Sequence, residues 1–294
     1  MNVGLFWCNR APYIDPTGIR TLVTSAEAAG FESLWTSEHV VLPETYDTTY
    51  PYSENGRLPV DATFPYPDPI VWTTYAVAVS TSIKFCSGAI VLPQRNPVVL
   101  AKELATLDVL SRGRVSLGAG VGWFREEFEA VGVPFAGRGK RTDEYIDAMR
   151  SLWSSDETFD GEFASFANAR CYPKPTSEDG VPIVVCGHSE AAARRAGTRG
   201  NGFFPLSDTW LELVALCRRT AEERGRAPDE IEITLGHEGI PSVEALHAYN
   251  EAGVARVVIH PPVFDVSAIA GALDELSTSL IKPAAALTRC SDSA

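Results

Sequence analysis

Short apolar runs alternate with longer segments of helical periodicity along almost the whole chain. The predicted strands are 3–7, 33–36, 84–91, 115–119, 183–186, 202–204, 231–235 and 256–259. The predicted helices lie near 17–29, 69–80, 97–110, 141–153, 189–199, 208–225, 242–251 and 266–280. Strands that are apolar throughout are typical of a parallel sheet covered by helices on both faces. Eight strand–helix units without a break in composition therefore predict an α/β fold, a closed (β/α)8 TIM barrel.

Two segments interrupt this alternation. Residues 40–68, after the second predicted strand, are rich in Pro, Tyr and Thr, and they are too long for an ordinary connection. We expect them to form a functional lid. Residues 154–180, after the fourth predicted helix, form a second insertion, in which 158–163 indicates a small hairpin. The chain is thus expected to be one barrel domain over 1–283 with a flexible tail over 284–294.

Composition and charge exclude several classes of protein. With 45% hydrophobic and 21% charged residues in a chain of 294, wholesale disorder is excluded. The net charge of −13 argues against nucleic acid and anionic membranes as partners. Six cysteines without a Cys-x-x-Cys pair indicate reduced thiols. Because no signal peptide or long apolar run is visible, we expect a soluble, cytoplasmic protein.

Candidate chemistry follows the predicted strands, because the loops at the carboxyl ends of the strands build the active site of such a barrel. Glu38 and His39 follow the second strand and combine a carboxylate with a side chain that titrates near neutral pH. A packed or capping histidine is the alternative. Gly118 and Gly120, in the fourth strand and its exit, leave the backbone bare for a flat ring or a phosphate. A bend of the barrel is the alternative there, and the spacing differs from the dinucleotide fingerprint.

An anion site is predicted after the fifth strand. Gly187, His188 and Ser189 lead into a helix whose N-terminal amides can bind an anion, and Gly202 opens the next strand. Arginines follow on this helix, but their late position also suits the helix dipole. The histidines lack metal-ligand spacing, so no metal site is expected. A nucleophile elbow is also absent from the sequence.

The run Leu-Ser-Arg-Gly-Arg-Val-Ser-Leu-Gly-Ala-Gly-Val-Gly-Trp-Phe-Arg-Glu-Glu-Phe at 110–128 resembles the signature of the bacterial luciferase-like monooxygenase superfamily. Further similar motifs lie, in order, at 29–35, 92–97, 132–135, 138–145, 152–153, 160–161, 173–175 and 200–203. The resemblance covers roughly residues 1–265. A long co-linear set of motifs is stronger evidence than any one of them.

This resemblance implies a barrel that binds FMN or the deazaflavin coenzyme F420. The motifs are most similar to the F420-dependent oxidoreductase branch, in which a non-proline cis peptide lies beneath the ring. By position the bond falls at Ala89–Ile90, so both residues are expected to contact the cofactor. The resemblance also implies that Phe6 and Glu38–His39 lie near the ring and that Gly187, His188 and Ser189 hold the phosphate. Relatives are often dimers, so a homodimer is expected.

The sequence also departs from relatives in this branch. Trp123 stands where the sugar-phosphate dehydrogenases place a catalytic glutamate, which argues against their proton relay and their substrate. Glu38 stands where Asp is frequent. This second departure leaves the role of Glu38 open.

The working hypothesis is hydride transfer between coenzyme F420 and a small organic substrate. His39 would exchange the proton, Glu38 would orient His39, and residues 40–68 would close over the substrate. Trp7 and Trp123, with tyrosines of 40–68, indicate a flat or apolar substrate, although such rings also pack beneath long loops. The runner-up is an FMN-dependent monooxygenase that uses reduced FMN and oxygen. A non-catalytic flavin-binding barrel is the third hypothesis.

Overall fold

The computed structural model describes residues 1–156 and 158–287, and it confirms the predicted (β/α)8 barrel. The barrel strands are β1 (Asn2–Leu5), β2 (Ser33–Thr36), β3 (Lys84–Ser87), β4 (Ile90–Val91), β5 (Val115–Gly120), β8 (Ile183–Gly187), β9 (Gly202–Pro205), β10 (Glu232–Gly236) and β11 (Arg256–Ile259). All pair in parallel. The β3–β5 pairing closes the barrel, and β3 and β4 are two parts of one interrupted strand.

The helices lie outside this barrel and follow the strands as predicted. They are α1 (Pro16–Ala29), α2 (Pro69–Ala78), α3 (Pro97–Ser111), α4 (Arg125–Ala130), α5 (Arg138–Trp153), α6 (Glu190–Arg199), α7 (Trp210–Glu223), α8 (Val243–Glu251), α9 (Ile269–Leu276) and α10 (Lys282–Ala285). Short 3-10 turns occur at Leu92–Gln94 and Pro228–Glu230, and Ser277–Ile281 is π-helical. The hairpin predicted in the second insertion is confirmed as β6 (Phe159–Asp160) and β7 (Ser165–Phe166).

Three of the helices begin with the same local signal. Asp15, Asp68 and Asn96 precede α1, α2 and α3, and each side chain accepts hydrogen bonds from two amides of the first turn. A proline follows each of them at the first helical position, where its missing N–H costs nothing. Local sequence thus fixes where these helices start, and Asp68 also marks the end of the first insertion.

Apolar side chains pack in two layers because successive strand residues point to opposite faces. Most of the core lies between the strands and the helices, as Leu34 and Leu117 do. A smaller cluster fills the barrel interior with Trp35, Cys86 and Phe204, among others. Because active sites of such barrels lie at the carboxyl ends of the strands, the mouth there is the place for a site.

Two further expectations concern the end of the chain and membranes. Helix α10 extends into the first two residues of the segment expected as a flexible tail, and its Ala284 is fully buried. Residues 288–294 of that expected tail, with Cys290, lie outside the described residues. The five cysteines of the described part are buried free thiols, as predicted. No helix in the described ranges is long and apolar enough to cross a membrane.

Candidate active site

His39 lies at the mouth, three residues beyond β2, and is held by a glutamate from a distant element. Its Nδ1 lies 3.3 Å from Oε2 of Glu127, a residue of α4. The His39 side chain is 9% exposed and that of Glu127 is 1% exposed. Glu127 is fixed in turn, since its Oε1 accepts the Val40 N–H at 2.6 Å. A buried carboxylate on Nδ1 orients the ring and leaves Nε2 for proton exchange.

Glu38 does not orient His39, which corrects the sequence-based hypothesis. Neighbouring residues of an extended chain point to opposite sides, so the two side chains diverge. The Glu38 carboxylate accepts the Val91 N–H at 2.6 Å and the Arg95 Nε–H at 2.9 Å. Burial raises the pKa of Glu38, while Arg95 and the Val91 amide favour the ionised form. This carboxylate therefore ties the end of β2 to β4 rather than serving the mouth.

Arg95 joins the two ends of the first insertion. Besides Glu38, it contacts Oδ2 of Asp68 at 2.6 Å. Burial alone would lower the pKa of Arg95, but Glu38 and Asp68 outweigh it and raise the pKa above its ordinary value. Glu38 lies two residues before the segment 40–68 and Asp68 is its last residue, so one guanidinium holds both ends of this segment in place. We call residues 40–68 the lid.

A second attachment of the lid comes from Glu126, the neighbour of Glu127 on α4. Its carboxylate accepts the Asp47 N–H at 2.7 Å, the Thr48 N–H at 3.1 Å and the Thr48 hydroxyl at 2.6 Å. Partial burial raises the pKa of Glu126, but these hydrogen bonds outweigh it and lower the pKa to about 2. Adjacent glutamates of one short helix thus hold the lid and His39.

Aromatic residues of the lid cover the β5 and β8 side of the mouth. The Tyr50 ring lies 5.0 Å from that of Trp123, and the Tyr52 hydroxyl lies 2.9 Å from Nδ1 of His188. Trp123 stacks on Phe124 at 4.4 Å and meets His39 edge to face at 6.0 Å. Trp123 therefore lies beside His39, and the lid rests across the mouth.

A groove of about 780 Å³ lies within the lid itself. Lid residues from Leu42 to Thr63 line it together with Phe124, whose ring lies 6.0 Å from His39. Its size is within the range of small-molecule sites. The groove is large enough for a small organic molecule, and Phe124 is the residue that connects its lining to His39.

The opposite side of the mouth is built from the loops after β1 and β11. Trp7, at φ 62°, leaves the predicted strand 3–7 early and stacks on His260 at 5.1 Å. The Arg10 guanidinium lies 5.2 Å from the Trp7 ring. Burial and the Arg10 charge lower the pKa of His260. Trp7 thus lies at the mouth between the His260 ring and the Arg10 guanidinium, neighbours that the sequence does not indicate.

Phe6 and Ala89 lie where the mouth meets the barrel interior. The Phe6 ring packs on Phe204 at 5.8 Å, and a Cβ at Gly88 would come within 3.1 Å of both Phe6 and Trp35. The non-proline cis peptide bond lies between Gly88 and Ala89, one residue before the predicted position, at the break between β3 and β4. Ala89 packs against the interior cluster, as Phe6 does.

Three residues predicted to contact the cofactor lie elsewhere. Ile90 packs with the helix-facing layer around Leu104, because it points outward from the strand. Gly118 lies within β5, and a Cβ there would come 1.5 Å from the Ser87 carbonyl oxygen, so this glycine permits close strand packing. Gly202 is the first residue of β9 and therefore lies at the end of the barrel away from the mouth. None of these three residues lies on the surface of the mouth in this structure.

Gly120 and the start of α6 remain at the mouth. Gly120 ends β5, and a Cβ there would come within 3.1 Å of the Ala89 Cβ, so the surface formed by the two residues is flat. Gly187 ends β8, His188 follows, and Ser189 caps α6 by accepting the Ala192 N–H at 3.3 Å. The first amides of α6 accordingly point towards the mouth.

The arginines of α6 take no part in this site. Arg195 and Arg199 pair with Asp143 and Asp147 of α5, and Arg194 pairs with Glu190 on its own helix.

Sequence analysis did not identify Glu127 as a site residue, although Glu127 belongs to the family-like run at 110–128. The sequence does contain a signal for it: Glu126 and Glu127 follow shortly after the glycine-rich end of β5, and residues that follow a barrel strand lie at the mouth.

Comparison with known proteins agrees with this architecture. The luciferase-like monooxygenase family matches residues 1–268. An uncharacterised protein of Mycobacterium tuberculosis is 35% identical over 243 residues, which cover 81% of this chain and 83% of that protein. A solved F420-dependent secondary alcohol dehydrogenase with an F420–acetone adduct superimposes with a TM-score of 0.74 at 18% identity, covering 96% of this chain and 98% of that chain. That likeness concerns the fold.

Relatives whose names state an activity use two different cofactors. The F420-dependent glucose-6-phosphate dehydrogenase of Amycolatopsis mediterranei is 31% identical over 236 residues, 76% of this chain and 65% of that protein. The FMNH2-dependent dimethylsulfone monooxygenase of Pseudomonas fluorescens is 32% identical over 189 residues, 63% of this chain and 46% of that protein. The barrel, the motifs and the matched length together lead to one assignment: the chain belongs to the luciferase-like monooxygenase family.

Proposed function

We propose that this chain is an oxidoreductase that transfers a hydride between coenzyme F420 and a small organic substrate at the barrel mouth. The observation that carries the proposal is the His39–Glu127 pair, in which a buried carboxylate holds Nδ1. Within residues 1–156 and 158–287, Nε2 of His39 has no hydrogen-bond partner. Such an imidazole suits the proton that accompanies a hydride transfer.

The mouth fits a flat ring with a charged tail. Ala89 and Gly120 form a surface without large side chains, and the Phe6 ring adjoins it. The amides at the start of α6, with Ser189 and His188, would hold the phosphate in a chain whose net charge is otherwise −13. Because Tyr52 contacts His188 and Tyr50 contacts Trp123, the lid must move aside for the ring to enter.

Residues of the chain supply orientation and the proton. When bound, coenzyme F420 accepts or supplies the hydride. Oxidation of a substrate carbon bearing O–H or N–H removes one hydride and one proton, and His39 Nε2 takes that proton; reduction runs in reverse. Glu127 stabilises the imidazolium that results. The rings of the lid exclude water once the substrate is bound.

FMN remains a second candidate cofactor because of the FMNH2-dependent relative, and with it the same mouth would serve a monooxygenase. F420 is preferred because this chain covers 65% of the F420-dependent relative and 46% of the FMNH2-dependent one. The whole co-linear set of motifs, over roughly residues 1–265, is also most similar to the F420-dependent branch.

A paired fluorescence-quenching titration with coenzyme F420 and FMN tests the proposal. We expect F420 to bind at least about tenfold more tightly. Ser189→Ala should weaken F420 binding by about tenfold, because a hydroxyl that donates to a phosphate is lost. Ser242→Ala is the matched control, since Ser242 caps α8 through the same contact, at 3.2 Å to Ala245 N. Tighter binding of FMN would overturn the assignment of the cofactor. Equal effects of the two serine variants on F420 binding would overturn the assignment of the phosphate site.

A further inference from the structure

Arg10 lies at the mouth inside a cage of aromatic rings. Its guanidinium carbon lies 5.2 Å from the Trp7 ring, 5.5 Å from the Phe64 ring and 4.4 Å from the Phe264 ring. The three rings come from the loops after β1, β2 and β11, which are neighbours around the barrel. Loops from three strands therefore converge on one cation at the end of the barrel where chemistry takes place.

The charge of Arg10 is uncompensated. In the described ranges no carboxylate lies within ion-pair distance of Arg10, and its buried Nε has no hydrogen-bond partner. By contrast, Arg95, Arg195 and Arg256 are each paired with buried or half-buried carboxylates. Burial lowers the pKa of Arg10, whereas the carboxylates of Glu38 and Asp68 raise the pKa of Arg95. Carboxylates outnumber basic side chains in this chain, whose net charge is −13, yet none of those described pairs with Arg10.

Aromatic faces alone do not satisfy this side chain. Rings interact with the face of a guanidinium, while its N–H groups point outward in its plane and need oxygen acceptors. A planar fork of donors matches a carboxylate, sulfonate or phosphate with two parallel hydrogen bonds. A buried N–H without an acceptor is costly, so a ligand oxygen would relieve that cost.

Position separates this cation from the predicted phosphate site. Around the barrel, three strands lie between β1 and β8 on either side, so the loop of Arg10 is opposite the loop of His188 and Ser189. Arg10 is instead close to the proton-exchange pair. Tyr66 is an electrostatic neighbour of Arg10, and its ring lies 5.2 Å from that of His39. A molecule held by Arg10 would thus extend past Tyr66 towards His39.

We infer that Arg10 is a specificity-determining residue that binds an anionic oxygen group of the organic substrate, whose apolar body lies among Trp7, Phe64 and Phe264. The assignment of this anion to the substrate rests on the proposed function, whereas anion binding at Arg10 does not. The substrate class is accordingly a small carboxylate, sulfonate or phosphate ester with an apolar body.

The test compares probes of equal shape with and without the charge, in the absence of cofactor. Isothermal titration measures the binding of benzoate, benzenesulfonate and phenyl phosphate against benzyl alcohol, for the wild type and for Arg10→Gln, Arg10→Lys and Arg20→Gln. Arg20 is an exposed residue of α1 and controls for the loss of one positive charge. We expect at least one anion to bind about tenfold or more tightly than benzyl alcohol. Arg10→Gln should remove that preference, Arg10→Lys should keep part of it, and Arg20→Gln should keep all of it.

Quenching titrations with F420 and FMN on the same proteins separate this inference from the proposed function. We expect Arg10→Gln to leave the affinity for the preferred cofactor within about twofold. A wild type that binds neither cofactor yet prefers an anion through Arg10 would contradict the proposed function and retain the anion site. Absence of any anion preference in the wild type, or its survival in Arg10→Gln, would overturn the anion site. Loss of cofactor affinity in Arg10→Gln would reassign Arg10 to the cofactor and overturn its role in substrate specificity.

Discussion

At the scale of single residues, the site depends on which of several glutamates faces the histidine. Glu38 is next to His39 in sequence but points to Arg95, whereas Glu127 lies 88 residues away and contacts Nδ1. Glu127 also accepts the Val40 N–H, so one carboxylate sets both the ring and the backbone beside it. The orientation of His39 is therefore set by the contact between α4 and the loop that follows β2.

Replacing either member of this pair should impair turnover more than cofactor binding. We expect His39→Asn to lower kcat by about 100-fold or more, since general acid–base catalysis contributes on that order. Glu127→Gln should lower kcat by about tenfold, because the amide keeps a hydrogen-bonding group but not the charge that stabilises the imidazolium. Steady-state kinetics with F420 and quenching titrations measure the two quantities separately.

The exposed His247 of α8 provides the control, as His247→Asn removes an imidazole far from the mouth. Its kcat should equal that of the wild type. Undiminished turnover in His39→Asn would remove His39 from the mechanism.

The sequence was enough to find His39 but not its partner. A histidine after a strand of a predicted barrel is visible as a candidate, because strand ends define the mouth. The choice between Glu38 and Glu127 depends on side-chain direction and on a contact across the barrel, neither of which is local. The same limit explains Ile90, whose role depends on the face of the strand that it occupies, and Gly118, whose role depends on its depth within β5. Arg10 was missed because its rings come from three separate loops.

At the scale of elements, the lid is held by charge at its ends and along its length. Arg95 joins Glu38 and Asp68 at the two ends, and Glu126 holds Asp47 and Thr48. These contacts compensate for the lack of strands or helices between residues 40 and 68. A lid attached by a few hydrogen bonds can open without disturbing the barrel, as the proposed binding of a cofactor at the mouth would require.

Glu126→Gln should loosen the lid. The amide cannot match the charge-assisted hydrogen bonds to Asp47 and Thr48, which are half-exposed and so contribute on the order of 1 kcal/mol. We expect limited proteolysis within residues 40–68 to become about five- to tenfold faster, since cleavage follows the population of the open lid. Glu129→Gln, at an exposed position of the same helix, should leave the rate of cleavage unchanged. Equal cleavage rates for both variants would show that Glu126 does not hold the lid.

Elements were predicted well where their signal is local and long. The eight barrel strands and the main helices follow from apolar periodicity, and the Pro-led starts of α1, α2 and α3 are written in the sequence. Helix α4 was missed because six residues make fewer than two turns and give no periodicity. The lid was predicted from its length, but its attachments join residues that are far apart in the chain.

At the scale of the whole molecule, the two ends of the barrel serve different purposes. The mouth carries His39, Arg10 and the start of α6. The opposite end carries a buried ion pair, in which Arg256 Nε and Nη2 donate to Glu32 at 2.8 Å and 2.9 Å. Burial raises the pKa of Glu32, but hydrogen bonds from Arg256 outweigh it and lower the pKa from 4.5 to about 2. This pair joins the start of β11 to the start of β2 and closes the barrel there.

Loss of the pair should appear as a change in acid stability. A carboxyl group whose pKa is lowered on folding stabilises the fold above pH 4.5, and the contribution disappears as the pH falls towards 2. We expect Glu32→Gln to lower the free energy of unfolding at pH 7 by about 3 kcal/mol. The difference from the wild type should shrink between about pH 4.5 and 2 in urea unfolding. Glu222→Gln, at an exposed position of α7, is the control, and a pH-independent difference for Glu32→Gln would contradict the account.

The most direct measurement is a crystal structure of the protein with coenzyme F420. The account predicts the tricyclic ring against Ala89 and Gly120, the phosphate on the amides at the start of α6, and the lid displaced from His188. It also predicts His39 Nε2 facing the space between the ring and Arg10. A ring bound outside the barrel mouth, or a phosphate held by Arg10 instead of α6, would contradict it.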